Sequence, residues 1–409
     1  MEAIQRRINK VKEKIKNVNN RAKEPRLAAK IASDVYLLTK LPTIEAACEE
    51  LNRSFHGDLT FSESNLLKGK TGGPGYVKVR TAFGFVLEGK KQLEGHTFVV
   101  FRGTEYLADW LSNGNITVGS SNHGKSVHQG FMKAFQSMLP QLRDYTVKLS
   151  NGSQVHCIGH SLGGALATIA AEWLAIEKGI RAKLYTFGSP RVGLDDFARG
   201  TTKRLGSENI LRVWHKTDIV PCIPIWPFVH TPDSGRDYFL PSPGFFPGKK
   251  WHSMDNYIRS VGKKSWQTIY ALREPQPTES DIQRWLADSK ILSGTLPAIK
   301  WLQSALAYVV GKCLSAIGST YQLLQSSHST LMDSLAWILS RGVSLTEKLS
   351  GWVVHLMRKI AEFLGMHRHV KTEKPEKQVI RYLLERLSEK VNQMAKNVLS
   401  QTLADGRAI

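Results

Sequence analysis

The spacing of apolar residues changes once along the chain, near residue 274. Before that point, short apolar runs rich in Val, Phe and Thr alternate with longer segments in which apolar residues recur every three or four positions. The short runs are YVKVRTAFGFVLEG, HTFVVFRGT, QVHCIG, AKLYTFGSP and NILRVWH. Such runs are typical of strands, and the longer segments are typical of helices. Strands that alternate with helices predict an α/β fold with a mostly parallel sheet covered by helices on both faces.

Beyond residue 274 only the helical spacing remains. Three amphipathic stripes begin at Leu302, Leu335 and Ile380. Ser, Gln and Thr interrupt every stretch of about 20 residues, so no transmembrane span is expected. A helical bundle and a module that inserts into or lies on lipid both agree with this pattern. We therefore predict an α/β domain over residues 25–274 and an all-helical extension over residues 275–409.

Residues 1–24 form a third unit in this prediction. Lys and Arg outnumber Asp and Glu there, and the apolar residues fall on one stripe of a helix. The stripe consists of Ile4, Ile8, Val11, Ile15 and Val18. We expect a basic amphipathic helix that docks on its own domain or binds a membrane surface or a partner. The segment has no apolar h-region, so a conventional secretory signal is not expected.

The stretch from Pro221 to Trp251 is rich in proline and aromatic residues. This composition predicts a long loop rather than a regular element. A loop of this length is usually functional or disordered, and its aromatic content favours a functional loop.

Composition adds one strong feature, a formal net charge of +21 over 409 residues. The excess is spread along the chain, which suits a broad anionic membrane surface better than a single groove. No nucleic-acid recognition motif accompanies the charge, so a nucleic-acid partner is not expected. The four cysteines lie far apart without a CxxC pair. This spacing predicts neither a metal site nor a disulfide framework, and the chain is expected to need no cofactor.

The residues GHSLG at positions 159–163 fit the pattern G-x-S-x-G around Ser161. An apolar run at 155–158 precedes them, and the helix-forming run ALATIAAEWLA follows. A serine in a strand-turn-helix with Gly159 and Gly163 on either side is the arrangement called a nucleophile elbow. The helix that begins there points free N–H groups at a developing negative charge. The alternative is a buried serine in a glycine-rich turn.

A serine nucleophile needs a base and an orienting acid, which follow it in the order acid then histidine in folds with this elbow. Asp218 lies three residues beyond the strand-like run NILRVWH. His252 follows the proline-rich stretch and opens the helix-like run HSMDNYIRSV. We predict these two as acid and base. The alternatives are Asp195, Asp196, Asp233 and Asp237 for the acid and His215 and His230 for the base.

An oxyanion hole needs two N–H donors. Leu162, the residue after the serine, is expected to supply one. Thr104 is the candidate for the other, since the strand-like run FVVFRGT ends there. The alternative role for Thr104 is to cap the end of its strand.

Six stretches of this chain, taken in order, resemble the lipase class 3 family, the fungal-lipase-like branch of the α/β hydrolases. They are TFVVFRGTEYLADWLSN, VHQGFMKAF, VHCIGHSLGGALATIAA, YTFGSPRVG, VWHKTDIVPCIP and WHSMDNYI. The resemblance covers roughly residues 25–270. It implies an α/β-hydrolase fold and a Ser161–Asp218–His252 triad. It also implies a lid over about residues 105–127, with Asp109-Trp110 at its base.

The same resemblance implies an enzyme that cleaves carboxylic acyl esters of lipids. The family includes triacylglycerol and diacylglycerol lipases, phospholipases of the A type and some carbohydrate esterases. The basic surface and the amphipathic segments favour a phospholipase of the A type that acts on an anionic membrane. A triacylglycerol or diacylglycerol lipase and an inactive scaffold that binds lipid or a partner are the alternatives.

The family's secreted fungal members usually carry signal peptides and disulfides, and neither is expected here. We therefore expect a cytoplasmic or membrane-associated enzyme, or one exported by a specialised secretion system. In that last setting an inhibitor or immunity protein would be a partner.

Overall fold

The computed structural model describes residues 24–71, 79–104, 117–147, 153–233, 237–287, 293–319, 330–366 and 374–404. The basic helix expected over residues 1–24 lies almost wholly outside these ranges. So does the part of the expected lid between residues 105 and 116, including its predicted base.

Seven of the nine described strands form one sheet, in the order β1-β2-β3-β6-β7-β8-β9. The strands are β1 (Leu66–Thr71), β2 (Val79–Glu88), β3 (His96–Phe101), β4 (Val118–Ser120), β5 (Ser126–His128), β6 (Gln154–His160), β7 (Lys183–Phe187), β8 (Ile210–His215) and β9 (Tyr238–Leu240). From β3 to β9 every neighbouring pair in the sheet is parallel, whereas β1 and β2 join antiparallel at one edge. Strands β4 and β5 form a separate antiparallel hairpin.

Fourteen α-helices surround the sheet or follow it within the described ranges. They are α1 (Pro25–Asp34), α2 (Leu37–Lys40), α3 (Ile44–Ser54), α4 (Gln129–Val147), α5 (Leu162–Glu177), α6 (Asp195–Leu205), α7 (Lys249–His252), α8 (Met254–Val261), α9 (Trp266–Ala271), α10 (Glu279–Ala287), α11 (Leu296–Ala316), α12 (Leu331–Leu345), α13 (Glu347–Leu364) and α14 (Lys377–Ala404). No helix in the described ranges is both long and apolar enough to cross a bilayer.

The central strands and the helix after β6 are buried on all sides. Every residue of β3 is buried, as expected for an inner strand of a sheet that is covered on both faces. Helix α5 is buried from Leu162 to Leu174, which explains why its apolar residues lie all round it instead of on one stripe. This sheet, with helices around it and a helical region after it, confirms the predicted α/β-hydrolase fold with a C-terminal helical extension.

The prediction of one long loop between Pro221 and Trp251 was wrong. The three-residue strand β9 lies within this stretch and pairs in parallel with β8. It is too short to show a period, and the prolines around it hid it in the sequence. The edge strand β1, with the sequence LLKGKT, was also missed because its Lys and Gly residues break the apolar pattern.

The helices after residue 293 pack their apolar stripes against one another. Leu302, Leu306 and Val309 of α11 are buried, and α11 contacts both α12 and α13. The second predicted stripe is divided between α12 and α13. The break lies at Thr346, whose hydroxyl accepts a hydrogen bond from Leu349 N–H at 3.2 Å and caps α13. Helix α14 packs against α12 and also against α7, the short helix that contains His252.

Candidate active site

Ser161 lies at the junction between β6 and α5 in a strained backbone conformation. Its φ is 56° and its ψ is −129°, values that a residue with a side chain rarely adopts. The Ser161 N–H donates to the carbonyl of Phe187 on β7 at 3.0 Å, and its carbonyl accepts from Gly164 N–H at 2.9 Å. These bonds hold the strained turn at the carboxyl end of the sheet.

The two glycines of the elbow are required by close backbone contacts. A Cβ on Gly159 would lie 2.0 Å from the Gly163 carbonyl oxygen. A Cβ on Gly163 would lie 2.2 Å from the carbonyl oxygen of Phe101, at the end of β3. Any larger residue would therefore push the helix away from the strands, as expected of a nucleophile elbow.

Asp218 and His252 form a fully buried pair at the same edge of the sheet. The Nδ1–H of His252 donates to the Asp218 carboxylate, with Nδ1 2.9 Å from Oδ2 and 3.0 Å from Oδ1. The carboxylate also accepts from the Tyr257 hydroxyl at 2.6 Å and from Val220 N–H at 3.0 Å. Three donors thus hold the carboxylate, and this arrangement leaves Nε2 of His252 as the ring nitrogen with the free lone pair.

Ser161 Oγ and His252 Nε2 are both buried and have no hydrogen-bond partner among the described residues. They do not bond to each other in this structure. Ser161 and His252 are both 0% exposed, so an ester can reach the serine only after neighbouring residues move. Catalytic hydrogen bonds of this type often tighten only when substrate is bound.

His160, the neighbour of Ser161, connects the elbow to α7, the short helix that contains His252. Its Nε2–H donates to the His252 carbonyl at 2.8 Å, and its ring centroid is 4.6 Å from that of His252. Tyr36 of the α1–α2 region donates its hydroxyl to His160 Nδ1 at 2.9 Å and accepts from Gly103 N–H at 2.8 Å. Burial raises the pKa of Tyr36, which keeps this hydroxyl neutral. The network fixes the segment after β3, the elbow and the histidine relative to one another.

Both predicted oxyanion donors belong to segments that adjoin the serine. Leu162 is the first residue of α5, where helix N–H groups have no partner within the helix. Thr104 follows β3 and is buried. A Cβ on the adjacent Gly103 would lie 3.1 Å from Ser161 Cβ, so the loop after β3 passes directly beside the serine.

The alternative acids have other partners or lie elsewhere. The Asp196 carboxylate accepts from Ser126 N–H at 3.0 Å, and Asp195 pairs with Arg199 at 2.5 Å. Asp237 pairs with Arg212 at 2.9 Å, and Asp233 is exposed on the surface. The bond to Asp196 also ties β5, at the end of the expected lid segment, to the body of the domain.

Neither alternative histidine pairs with an acid at the serine. His215 donates its Nδ1–H to the Trp251 carbonyl at 2.8 Å, and its Nε2 accepts from Ser260 at 2.9 Å. Burial lowers the pKa of His215 to about 4. His230 lines a separate cavity. Among the residues that the structure describes, no cluster of His, Cys, Asp or Glu is arranged to hold a metal.

Sequence reasoning missed three residues that position the others, namely Tyr36, His160 and Tyr257. His160 lies inside the GHSLG motif, so its position was visible but its role was not. Tyr36 lies 124 residues before its partner His160 in the sequence. Tyr257 lies 39 residues after its partner Asp218. Tyr257 lies within the stretch WHSMDNYI, so its position was visible but its role was not, and no local pattern marks Tyr36.

The region that contains these residues is similar in sequence to known proteins. The family model for lipase (class 3) matches residues 98–228, which include Thr104, Ser161 and Asp218. Secreted mono- and diacylglycerol lipase 1 of Fusarium solani is 36% identical over 140 residues, 32% of this chain and 41% of that protein. Phospholipase A1-II 1 of Oryza sativa subsp. indica is 27% identical over 222 residues, 46% of this chain and 54% of that protein. The aligned segments thus span about half the length of these relatives or less.

Among solved structures, the nonglycosylated LIP2 lipase of Yarrowia lipolytica is similar with a TM-score of 0.42 and 21% identity, over 55% of this chain and 80% of that one. The resemblance to class 3 lipases that the motifs predict is confirmed by the family model over residues 98–228.

Proposed function

We propose that this chain is a serine hydrolase that cleaves carboxylic acyl esters of lipids, with Ser161, His252 and Asp218 as its triad. The observation that carries the proposal is the buried Asp218–His252 pair at the sheet edge where the strained elbow presents Ser161. The order of these residues along the chain is the one used by α/β hydrolases. Relatives named as lipases and phospholipases support the same chemistry.

The reaction begins when His252 Nε2 removes the proton from Ser161 Oγ as this oxygen attacks the ester carbonyl carbon. The carbonyl oxygen becomes an oxyanion, which the N–H groups of Leu162 and Thr104 stabilise. The tetrahedral intermediate then collapses, and His252 gives its proton to the departing alcohol. A water molecule, deprotonated by His252, attacks the acyl-enzyme and releases the fatty acid by the same route.

Asp218 holds the imidazole in the tautomer that this step needs and stabilises the imidazolium that forms. Tyr257 keeps the carboxylate in place and in turn accepts a hydrogen bond from His215 N–H at 3.2 Å. Burial, followed by the negative charge of Asp218, holds the pKa of Tyr257 well above its ordinary value. The tyrosine therefore remains a neutral donor throughout the reaction.

For the substrate, we favour the acyl esters of membrane phospholipids over neutral acylglycerols. The formal net charge of +21 supports this choice, because a basic surface is attracted to an anionic bilayer. The relatives' names cover both classes, since one is a mono- and diacylglycerol lipase and another is a phospholipase A1. An acylglycerol substrate is therefore the second candidate. Location in the cell and an inhibitor partner stay predictions.

The test is the release of fatty acid by the full chain from phosphatidylglycerol vesicles and from a diacylglycerol emulsion. We expect faster release from the vesicles, and we expect Ser161→Ala to lower release roughly 10⁴-fold or more. Flotation with vesicles should show that the variant still binds lipid. Release from neither substrate nor from short-chain esters would favour the inactive lipid-binding scaffold, for which the complete burial of Ser161 is the supporting observation.

A further inference from the structure

A second polar site lies in a cavity of about 930 Å³ between the α/β domain and the helices α10 and α11. Neither Ser161 nor His252 lines this cavity. One wall comes from the end of β8 and the residues after it, including Trp214 and Cys222. Trp285 and Lys300 belong to the opposite wall, on α10 and α11.

Cationic side chains outnumber acidic ones on the wall of this cavity. All three of the acids that line it already have a cationic partner at the wall. The pairs are Arg212–Asp237 at 2.9 Å, Lys216–Glu274 at 3.1 Å and Arg284–Asp281 at 3.5 Å. Arg191 and Lys300 also line the cavity, and no ion pair joins either of them to a carboxylate in the described part of the chain.

Arg191 and Arg212 line the cavity, and each has one buried N–H without an acceptor. Arg191 donates from Nη1 to the carbonyl of Pro224 at 3.4 Å and to the side chain of Gln303, but its Nε is buried without a partner. Arg212 also has a buried Nε without a partner, although its Nη2 reaches Asp237. Neither Nε is accessible from the cavity, so these two guanidinium groups contribute positive charge beside the wall, and no ligand contact is assigned to their Nε atoms.

Lys300 lacks a carboxylate partner as well. Its Nζ lies 3.4 Å from the Lys216 carbonyl oxygen and 4.0 Å from the centre of the Trp214 ring. Burial lowers the pKa of Lys300, with a smaller opposing effect from Glu274. The ammonium group is therefore partly desolvated and incompletely neutralised.

Arg212, Arg191 and Lys300 all influence two other residues that line the cavity, His230 and Cys222. Burial, followed by the positive charges of Arg212, Arg191 and Lys300, holds the pKa of His230 well below its ordinary value. The same three cations also act on Cys222. His230 is thus neutral, and the positive charge of this region comes from the arginines and the lysine.

The cavity also offers aromatic surface. The rings of Trp285 and Trp301 stack with centroids 5.8 Å apart and an interplanar angle of 10°. Trp214 and Trp226 line the cavity too. Its volume is several times what a phosphate ion occupies, so an anion with an organic body would fill it better than a bare ion would.

We propose that this cavity binds a phosphoryl group carried on an organic body, either a phospholipid headgroup or a soluble organic phosphate. Guanidinium groups match the geometry of phosphate oxygens, and the lysine adds a point charge. Several converging cations suit a dianion better than a single carboxylate. The proposal goes beyond the ester chemistry at Ser161 and does not depend on it.

The test is calorimetric titration of the full chain with two probes at matched ionic strength, glycerol 3-phosphate and short-chain phosphatidic acid. The chain carries Ser161→Ala in all titrations, so that the lipid is not hydrolysed and the result is separate from catalysis. We expect saturable binding, weakened by about tenfold or more in Lys300→Gln because one charge-assisted contact is lost. Binding of both probes would indicate a soluble phosphate, and binding of phosphatidic acid alone would indicate a headgroup.

Three further variants make the result specific. Lys312→Gln removes a charge from the same helix outside the cavity and should leave binding unchanged. Ala307→Trp fills the cavity while keeping its charges and should abolish binding, which gives a second test if Lys300→Gln fails to fold. Lys300→Arg should retain binding. Hexanoate, titrated in the same way, is the control for a carboxylate on an organic body. The proposal would be overturned by an absence of saturable binding, by hexanoate binding as tightly as the phosphates, or by binding that Lys300→Gln and Ala307→Trp leave unchanged.

Discussion

The edge of the sheet at Ser161 and the cavity beside α11 are both polar and both border the segment that follows β8, but they treat charge differently. At the sheet edge, the Asp218 carboxylate accepts hydrogen bonds from three donors. The Ser161 hydroxyl and Nε2 of His252 have no partner among the described residues. In the cavity, Arg191 and Lys300 are cations that form no ion pair with a carboxylate of the described ranges. In the proposed catalytic site, three hydrogen bonds fix the position of the single negative charge. In the proposed phosphate-binding cavity, cations outnumber carboxylates, so positive charge is available to an anionic ligand.

The residues of the sheet-edge site and those of the cavity also come from different parts of the fold. Asp218 and His252 lie on segments that follow β8 and β9, and Ser161 directly follows β6, so the parallel strands bring them to one edge. The cavity is assembled across the junction between the sheet and the helical extension, with Gln303 bonding both to the Cys222 carbonyl at 3.1 Å and to Trp226 N–H at 3.1 Å. It exists only while α11 stays docked.

The largest expected effect is the loss of the acid at the sheet edge. Asp218→Asn keeps the shape but allows the wrong tautomer of His252, so kcat for a short-chain p-nitrophenyl ester should fall roughly 10⁴-fold. Asp195→Asn is the matched control, since this acid pairs with Arg199 at the surface, and its kcat should change by less than about twofold. Equal losses in the two variants would remove the distinction between the two aspartates.

A smaller effect is expected from the tyrosine that positions the acid. Tyr257→Phe removes one of the three donors to Asp218 and should lower kcat by roughly tenfold, the effect of one hydrogen bond to a charged group. With that donor gone, the carboxylate interacts more strongly with the imidazolium, so the acid limb of the kcat/KM profile should move to higher pH. Tyr270→Phe, near the surface, is the control. If the pH profile of Tyr257→Phe were unchanged, the hydroxyl of Tyr257 would not act through Asp218, and the residue would contribute packing alone.

How much of this could be predicted from the sequence depends on the distance between the residues involved. Ser161 and Thr104 follow strand-like runs, and Asp218 lies three residues beyond another such run. His252 follows the proline-rich stretch and was predicted from chain order, so strand ends and chain order together led to the proposed triad. Tyr257 lies five residues after His252, but its bond to Asp218 is formed only in the folded chain. No spacing in the sequence relates Tyr36 to the site. Strand β9 was missed because three residues show no period. The cavity could not be predicted because its lining residues are spread along the chain from Arg191 to Ala307 and come together only in the folded structure.

The smallest expected effect concerns a buried acid that belongs to neither site. Burial raises the pKa of Glu172, on α5, from 4.5 to about 7, partly opposed by Arg204 and Lys125. Since the folded-state pKa lies above the unfolded one, the folded chain binds this proton more tightly. The stabilisation is therefore full below about pH 4.5 and disappears as pH rises through 7, a change of about 1–3 kcal/mol in the free energy of unfolding.

Urea unfolding of Glu172→Gln across this range should show the loss of that pH dependence. Glu177→Gln, on the same helix, removes an acid that pairs with Arg143 and should leave the slope as in the unmodified chain. If Glu172→Gln retained the full slope, burial of this carboxyl would not be its source.

The central claim is that Ser161 is the activated nucleophile, and the most direct measurement is to map a covalent adduct. The full chain is incubated in mild detergent with an alkyl phosphonate ester that reacts with activated serines, and its peptides are sequenced by mass spectrometry. We predict one adduct, on the peptide that contains Ser161, and little or no labelling in His252→Ala. An absence of adduct in the folded chain, or an adduct on another serine, would contradict the claim.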